Sequence, residues 1–170
     1  MKRRNLNYTL LFIALALIQL LVLDSMYISV YVAPLVYVAF IVLLPTDTSP
    51  LSTLLLGLGA GVVLDFLSGG MGLNTVSLLV AGYVRPLVLR LVAGDDIMRE
   101  RSLPGIKRLG AAKFVFYSFV MSLVVSLVFF LLEALDLSRI VGTLLKVLCS
   151  STATTLLVYI TAMVFTLKQE

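Results

Sequence analysis

Asp65 and Arg85 are the residues with the most chemistry to offer, because each is ionisable and stands in or beside a long apolar stretch. A charge held at the centre of a bilayer costs at least about 2.5 kcal/mol, so such a residue is a functional candidate by default. Gly57, Gly61 and Asp65 recur every fourth residue and share one helical face. Small residues at that spacing let a second helix approach closely and carry the carboxylate into a bundle. Asn74, Ser77, Ala81 and Arg85 form a comparable face, followed by Pro86, which removes the bond to the Gly82 carbonyl and predicts a kink. Ser118, Ser122, Ser126 and Glu133 make a third stripe. The plainer alternative has Asp65 tying down the Ser68 to Gly72 turn and Arg85 snorkelling towards head groups, and for Arg85 and Arg90 that alternative is favoured. For Ser150, Ser151, Thr154, Thr155 and Thr161 the expectation is back-bonding to the preceding turn or mild bonding between helices.

The chain has no His, which excludes Ser-His and Cys-His catalysis and His-ligated metals. The single Cys149 cannot form an internal disulfide or a thiolate cage, and reads as a small packing residue. Asp95-Asp96 resembles the start of a Mg²⁺-diphosphate site, but Arg99 follows where the next acid is needed. No nucleophile stands beside a base, so the expectation is a protein that is not an enzyme, with no cofactor and no metal.

The elements that must position these residues are membrane helices. Of 170 residues, 61% are hydrophobic and 13% charged, against about 25% charged in soluble domains. Most of the chain therefore expects lipid as its solvent, as a single integral membrane domain over residues 1–170. Charge-free runs of 17 to 22 residues mark six crossings: Asn5 to Leu23, Ser25 to Thr46, Thr48 to Leu64, Phe66 to Val84, Phe114 to Leu132 and Val147 to Leu167. The fold class expected is an all-α polytopic bundle of six transmembrane helices. The basic start resembles a signal peptide, but no small-x-small cleavage site follows, so it reads as a retained first helix. With both termini cytoplasmic, nine Lys and Arg face inwards and only Arg139 and Lys146 face outwards, a strong positive-inside bias that also accounts for the net charge of +4 without nucleic acid. The 94–112 loop reads as a solvated segment whose Lys107, Arg108 and Lys113 lie near anionic lipids, or as a docking surface for a cytoplasmic partner.

Depth suggests which charges meet. Asp65 lies about 21 Å along its helix from Leu51, near the outer boundary, and Arg85 about 18 Å below Leu73, so these two are not partners. Lys146 and Glu133 share the level of Asp65. One reading therefore pairs Asp65 with Lys146, Glu133 being the competing acid; the other has Asp65 accepting from the Gly69 and Gly70 amides.

The stretch from Gly57 to Leu73, with the order Gly61-x-x-x-Asp65-x-x-Ser68-Gly69-x-x-Gly72, resembles the signature of the rod shape-determining protein MreD family. Size, the basic N-terminus, Ala33-Pro34 and the helix count agree along nearly the whole chain. The resemblance implies a bacterial inner-membrane component of the cell-elongation machinery without catalysis of its own. Its implied partners are the bitopic protein MreC, the actin-like MreB filament and the peptidoglycan polymerase-transpeptidase pair. The alternative is a small substrate-binding subunit of a vitamin transporter, which is similar in size; such subunits carry an Ala-x-x-x-Ala face in helix one, whereas Ala14 and Ala16 stand two apart here.

Overall fold

The structure, a computed structural model, describes residues 2–20, 32–46, 48–94, 106–134 and 140–167, with the side chains of 2–8, 107 and 165–167 outside that description. The described residues form α1 (Lys2–Ile18), α2 (Val38–Val42), α3 (Pro50–Ser68), α4 (Leu73–Ala93), α5 (Ile106–Leu109), α6 (Ala111–Ala134) and α7 (Ile140–Leu167). Four of them, α3, α4, α6 and α7, are long and apolar enough to cross a membrane. Their outward faces are apolar, with Phe66 87%, Leu91 78% and Val141 79% exposed. In water such surface would be unfavourable; lipid tails meet it without penalty.

The helix limits depart from the charge-free runs in one systematic way. Helix four runs Leu73–Ala93 instead of Phe66 to Val84, so it contains Arg85 and Arg90. Helix three reaches Ser68 and contains Asp65. The fifth and sixth runs gain Lys113, Glu133 and Lys146 as α6 and α7. A charge does not end a helix; turn chemistry does. At α3 the stop is Gly69, with φ 69°, and the restart follows Gly72, with φ 88°, both in the left-handed region where glycine carries no Cβ penalty. The start of α3 is equally well marked: Ser49 accepts from the Ser52 amide at 3.1 Å, and Pro50 fills the first helical position, where its missing N–H is no loss.

The expected second crossing, Ser25 to Thr46, is not a continuous helix where it is described, and residues 25–31 lie outside the description. Residues 33–35 are irregular and only the five residues of α2 are helical. Pro34 has no amide hydrogen and biases Ala33 towards extended backbone. This broken segment is nonetheless the centre of the molecule. Val38 to Val42 are all buried, and α2 touches α1, α4, α6 and α7.

Around that centre α3 pairs with α4, α4 with α6, and α6 with α7. The α3–α4 hairpin can be read residue by residue from its glycines. A Cβ on Gly57 would stand 2.7 Å from the Leu78 carbonyl oxygen, one on Gly61 would stand 2.4 Å from the Thr75 Cα, and one on Gly82 would stand 3.1 Å from the Thr53 carbonyl oxygen. Each turn up α3 is matched by a turn down α4, which makes the pair antiparallel with its backbones in direct contact. The neighbour at each point is main chain, which cannot rotate away.

Candidate functional site

The tip of this hairpin carries the most completely satisfied polar group described. Asp65, 6% exposed, stands in the last turn of α3 and faces the start of α4. Its Oδ1 accepts from the Asn74 amide and the Asn74 Nδ2, each at 3.0 Å; its Oδ2 accepts from the Thr75 amide at 2.8 Å and from the Thr75 hydroxyl. Four donors use the full capacity of an ionised carboxylate. Two of them belong to the set of orphan amides that every helix N-terminus leaves open. Gly72 occupies the N-cap and has no side chain to offer, so the cap of α4 is supplied from α3. A negative charge there also meets the positive end of the α4 dipole. Gly70 makes room, since a Cβ on it would lie 2.7 Å from Asp65 Oδ1.

Both expected partnerships of Asp65 are corrected by this geometry. Lys146 binds Glu133 instead, at 2.7 Å, and its Nζ lies 4.4 Å from the centre of the Phe130 ring. Equal depth does not make two residues neighbours: α3 pairs with α4, while α7 pairs with α6, the helix that carries Glu133. The Gly69 and Gly70 amides turn to the Asp65 main-chain carbonyl, Gly70 at 2.8 Å, and so close the helix end without touching the carboxylate. Ser68 is exposed and ends α3. Asn74 stands out in the sequence for its place on a face and Gly70 as an amide donor; the double-donor role of Asn74, the part of Thr75 and the space that Gly70 leaves for the carboxylate do not. A Gly-Gly-x-Gly turn followed by Asn-Thr at helix positions two and three is the signal that pointed to a capping carboxylate.

The opposite end of the hairpin holds Arg85, which is 2% exposed and does not snorkel. One guanidinium nitrogen donates to the Leu44 carbonyl and, at 3.3 Å, to the Pro45 carbonyl. The Tyr117 hydroxyl donates to the Val42 carbonyl at 3.4 Å. The reason lies in the broken second segment. The chain leaves α2 through Leu43 to Pro45, and its last carbonyls have no helical amide to bond. A cation among them is favourable, and burial inside the protein is where such irregular main chain is tolerated at membrane depth. The Arg85 Nε has no partner among the described residues.

The upstream half of the same segment is held by Gln19, just past the end of α1, and by side chains of α7. Ala33 donates to Ser150 Oγ at 3.0 Å, Leu35 to Thr154 Oγ1 at 2.9 Å, and Val36 to Gln19 Oε1 at 2.9 Å. Ser151, Thr155 and Thr161 instead bond back to carbonyls of their own helix. The α7 hydroxyl stripe thus divides into two uses, with Ser150 and Thr154 stitching a foreign backbone into the bundle. Ser118, Ser122 and Ser126 are buried along α6, with hydroxyls that meet no partner among the described residues. Among the described residues no three Cys, Asp or Glu side chains converge as a metal site would need. What the arrangement does chemically is to fix helices: a carboxylate clamps one end of the hairpin and a guanidinium anchors the other to a buried loop. No protein-family model, curated protein or solved structure matches the chain.

Proposed function

We propose that this protein is a non-enzymatic scaffold of the bacterial cell-elongation machinery, a multi-pass protein of the inner membrane that binds MreC and links peptidoglycan synthases to the cytoskeleton. The observation that carries the reading is the Asp65 clamp. The Gly-x-x-x-Asp-x-x-Ser-Gly-x-x-Gly order, on which the resemblance to the MreD family rests, corresponds to a physical unit in which Gly57, Gly61, Asp65, Gly69 and Gly72 each have a packing or turn role. Asp65, Arg85, Ser150 and Thr154 hold helices and chain segments together, as a scaffold needs, and among the described residues none forms a nucleophile–base pair. The proposal includes six crossings with both termini in the cytoplasm, motivated by the distribution of Lys and Arg.

Crosslinking in the native membrane, followed by identification of what co-purifies, tests the reading. Recovery of MreC and an elongation-specific transpeptidase is the expected result, and loss of the protein is expected to disturb cell shape without removing an enzymatic activity from isolated membranes. The second reading, a substrate-binding subunit of a vitamin transporter, draws support from the buried irregular main chain at residues 33–37, since broken segments inside a bundle often line transport sites. A stoichiometric small-molecule ligand on the purified protein, with an ATPase in place of MreC, is the outcome that favours it. For topology, Met98→Cys or Ser102→Cys, placed in a Cys149→Ala background, is expected to resist labelling from outside the cell; labelling contradicts cytoplasmic termini.

A further inference from the structure

A serine or threonine hydroxyl inside an apolar helix ordinarily donates to a carbonyl in its own preceding turn. Ser77 does so to Leu73 at 2.7 Å, Ser151 to Leu148 at 3.0 Å, Thr155 to Ser151 at 2.7 Å and Thr161 to Leu157 at 2.8 Å. Ser118, Ser122 and Ser126 of α6 behave differently: each is 0% exposed, and its hydroxyl meets no partner among the described residues. They stand four residues apart, over about 12 Å in the middle of a 24-residue helix. Almost every buried polar atom in a folded protein is bonded, so three orphans on one face leave a partner to be identified.

The helix beside them supplies acceptors at matching heights. The Phe114 and Tyr159 rings lie 6.4 Å apart near one end of α6, and Glu133 binds Lys146 at 2.7 Å near the other, so α6 and α7 run antiparallel in a fixed register. One turn on from the ring pair, Ser118 stands level with Thr155, and the next turn brings Ser122 level with Ser151. Both α7 side chains are buried, and both donate to their own helix, so towards a neighbour they offer lone pairs. Donors on α6 thus stand level with acceptors on α7, and no direct bond joins them.

Whatever joins them must fit inside the bundle, since the serines are sealed from its surface, and must both accept and donate. A cation is disfavoured. Among the described residues Asp65 is filled by Asn74 and Thr75, Glu133 is paired with Lys146, and Arg85 is itself a buried cation on α4, which packs against α6. We propose that ordered water lies along the serine face of α6, each molecule accepting from one serine hydroxyl and donating to an α7 hydroxyl or a main-chain carbonyl. Buried water makes about three bonds and occurs roughly once per 27 residues, so one molecule per serine is an ordinary complement for a chain of 170. The α3–α4 pair is then joined by backbone contact and the α6–α7 pair partly through water. This rests on the orphan hydroxyls and the helix register, and does not depend on the scaffold reading.

Synchrotron radiolysis of the full chain in detergent, read by mass spectrometry, tests it, because X-rays convert bound water into hydroxyl radicals that modify the nearest side chains. Met121 is the reporter: it is 0% exposed and lies on α6 between Ser118 and Ser122. Met71, 97% exposed on the turn between α3 and α4, reports bulk solvent. Met121 is expected to oxidise at a rate within about tenfold of Met71, since water held at a buried site is radiolysed in place. Ser118→Ala, Ser122→Ala and Ser126→Ala together are expected to slow Met121 by about tenfold and leave Met71 unchanged, as the water loses its acceptor and donor partners. Alanine is the better helix former, and Ser122→Ala alone decides the matter if the triple variant does not fold. An unmodified Met121 in the wild type overturns the proposal. So does an equal Met121 rate in wild type and folded variant, or a rate that falls when sodium replaces choline in the buffer, which would make the occupant a cation.

Discussion

Two glycines, two residues apart on α3, lie in opposite surroundings. Gly61 is pressed against the α4 backbone, where an added Cβ would be 2.4 Å from Thr75 Cα; Gly59 opens onto a cleft with nothing within 4 Å. One side of the helix is locked by main-chain contact and capped by Asp65, while the other has room. The same residue type is thus present for two reasons, close approach in one case and vacancy in the other. A Gly-rich helix is legible as a packing element only when its two faces are read separately.

The largest effect that would break the locked side is expected from Asp65→Leu. It frees two amides, an Nδ2 and a hydroxyl in a buried setting, and at about 1–3 kcal/mol for an unmade buried bond the loss comes to about 3 kcal/mol or more. Thermal unfolding in one detergent checks it, and an unchanged midpoint would deny the clamp. Next comes Gly57→Leu, expected to cost about 1–3 kcal/mol because the Leu78 carbonyl cannot yield. Arg85→Met follows at about 1–2 kcal/mol: the Leu44 and Pro45 carbonyls lose a donor, but the burial of a cation with an unpartnered Nε is relieved as well. A loss larger than that from Asp65→Leu would reverse the ranking of the two hairpin ends. The smallest effect is expected from Lys146→Ala, about 0.5 kcal/mol, since its bond to Glu133 is partly exposed.

The sequence carried much of this comparison and missed the rest for physical reasons. Period-four spacing placed Gly57, Gly61 and Asp65 on one face, and the structure sets that face against α4. Glycine positions marked the turn between α3 and α4 better than charges did. Arg85, Lys113, Glu133 and Lys146 bound the charge-free runs, yet helices run through them, because a charge near the end of a span can reach a carbonyl, a carboxylate or a head group without stopping the backbone. The partner of Asp65 was not legible because rise per residue fixes depth and leaves lateral neighbours open. The broken second segment was hidden for a related reason: an apolar run reads alike as helix or irregular chain, and the side chains that satisfy its amides, Gln19, Ser150 and Thr154, are remote in sequence.

The central claim, that α3 has one closed face and one open face, is tested most directly by comparing Gly59→Leu with Gly61→Leu by thermal unfolding in the same detergent. Gly61→Leu is predicted to lower the midpoint by more than about 5 °C, or to leave too little folded protein to measure, since about 1 kcal/mol moves a chain of this size by about 2–4 °C. Gly59→Leu is predicted to hold the midpoint or raise it, as a better helix former than glycine placed in open space. Equal losses from the two variants, or a larger loss from Gly59→Leu, would contradict the account.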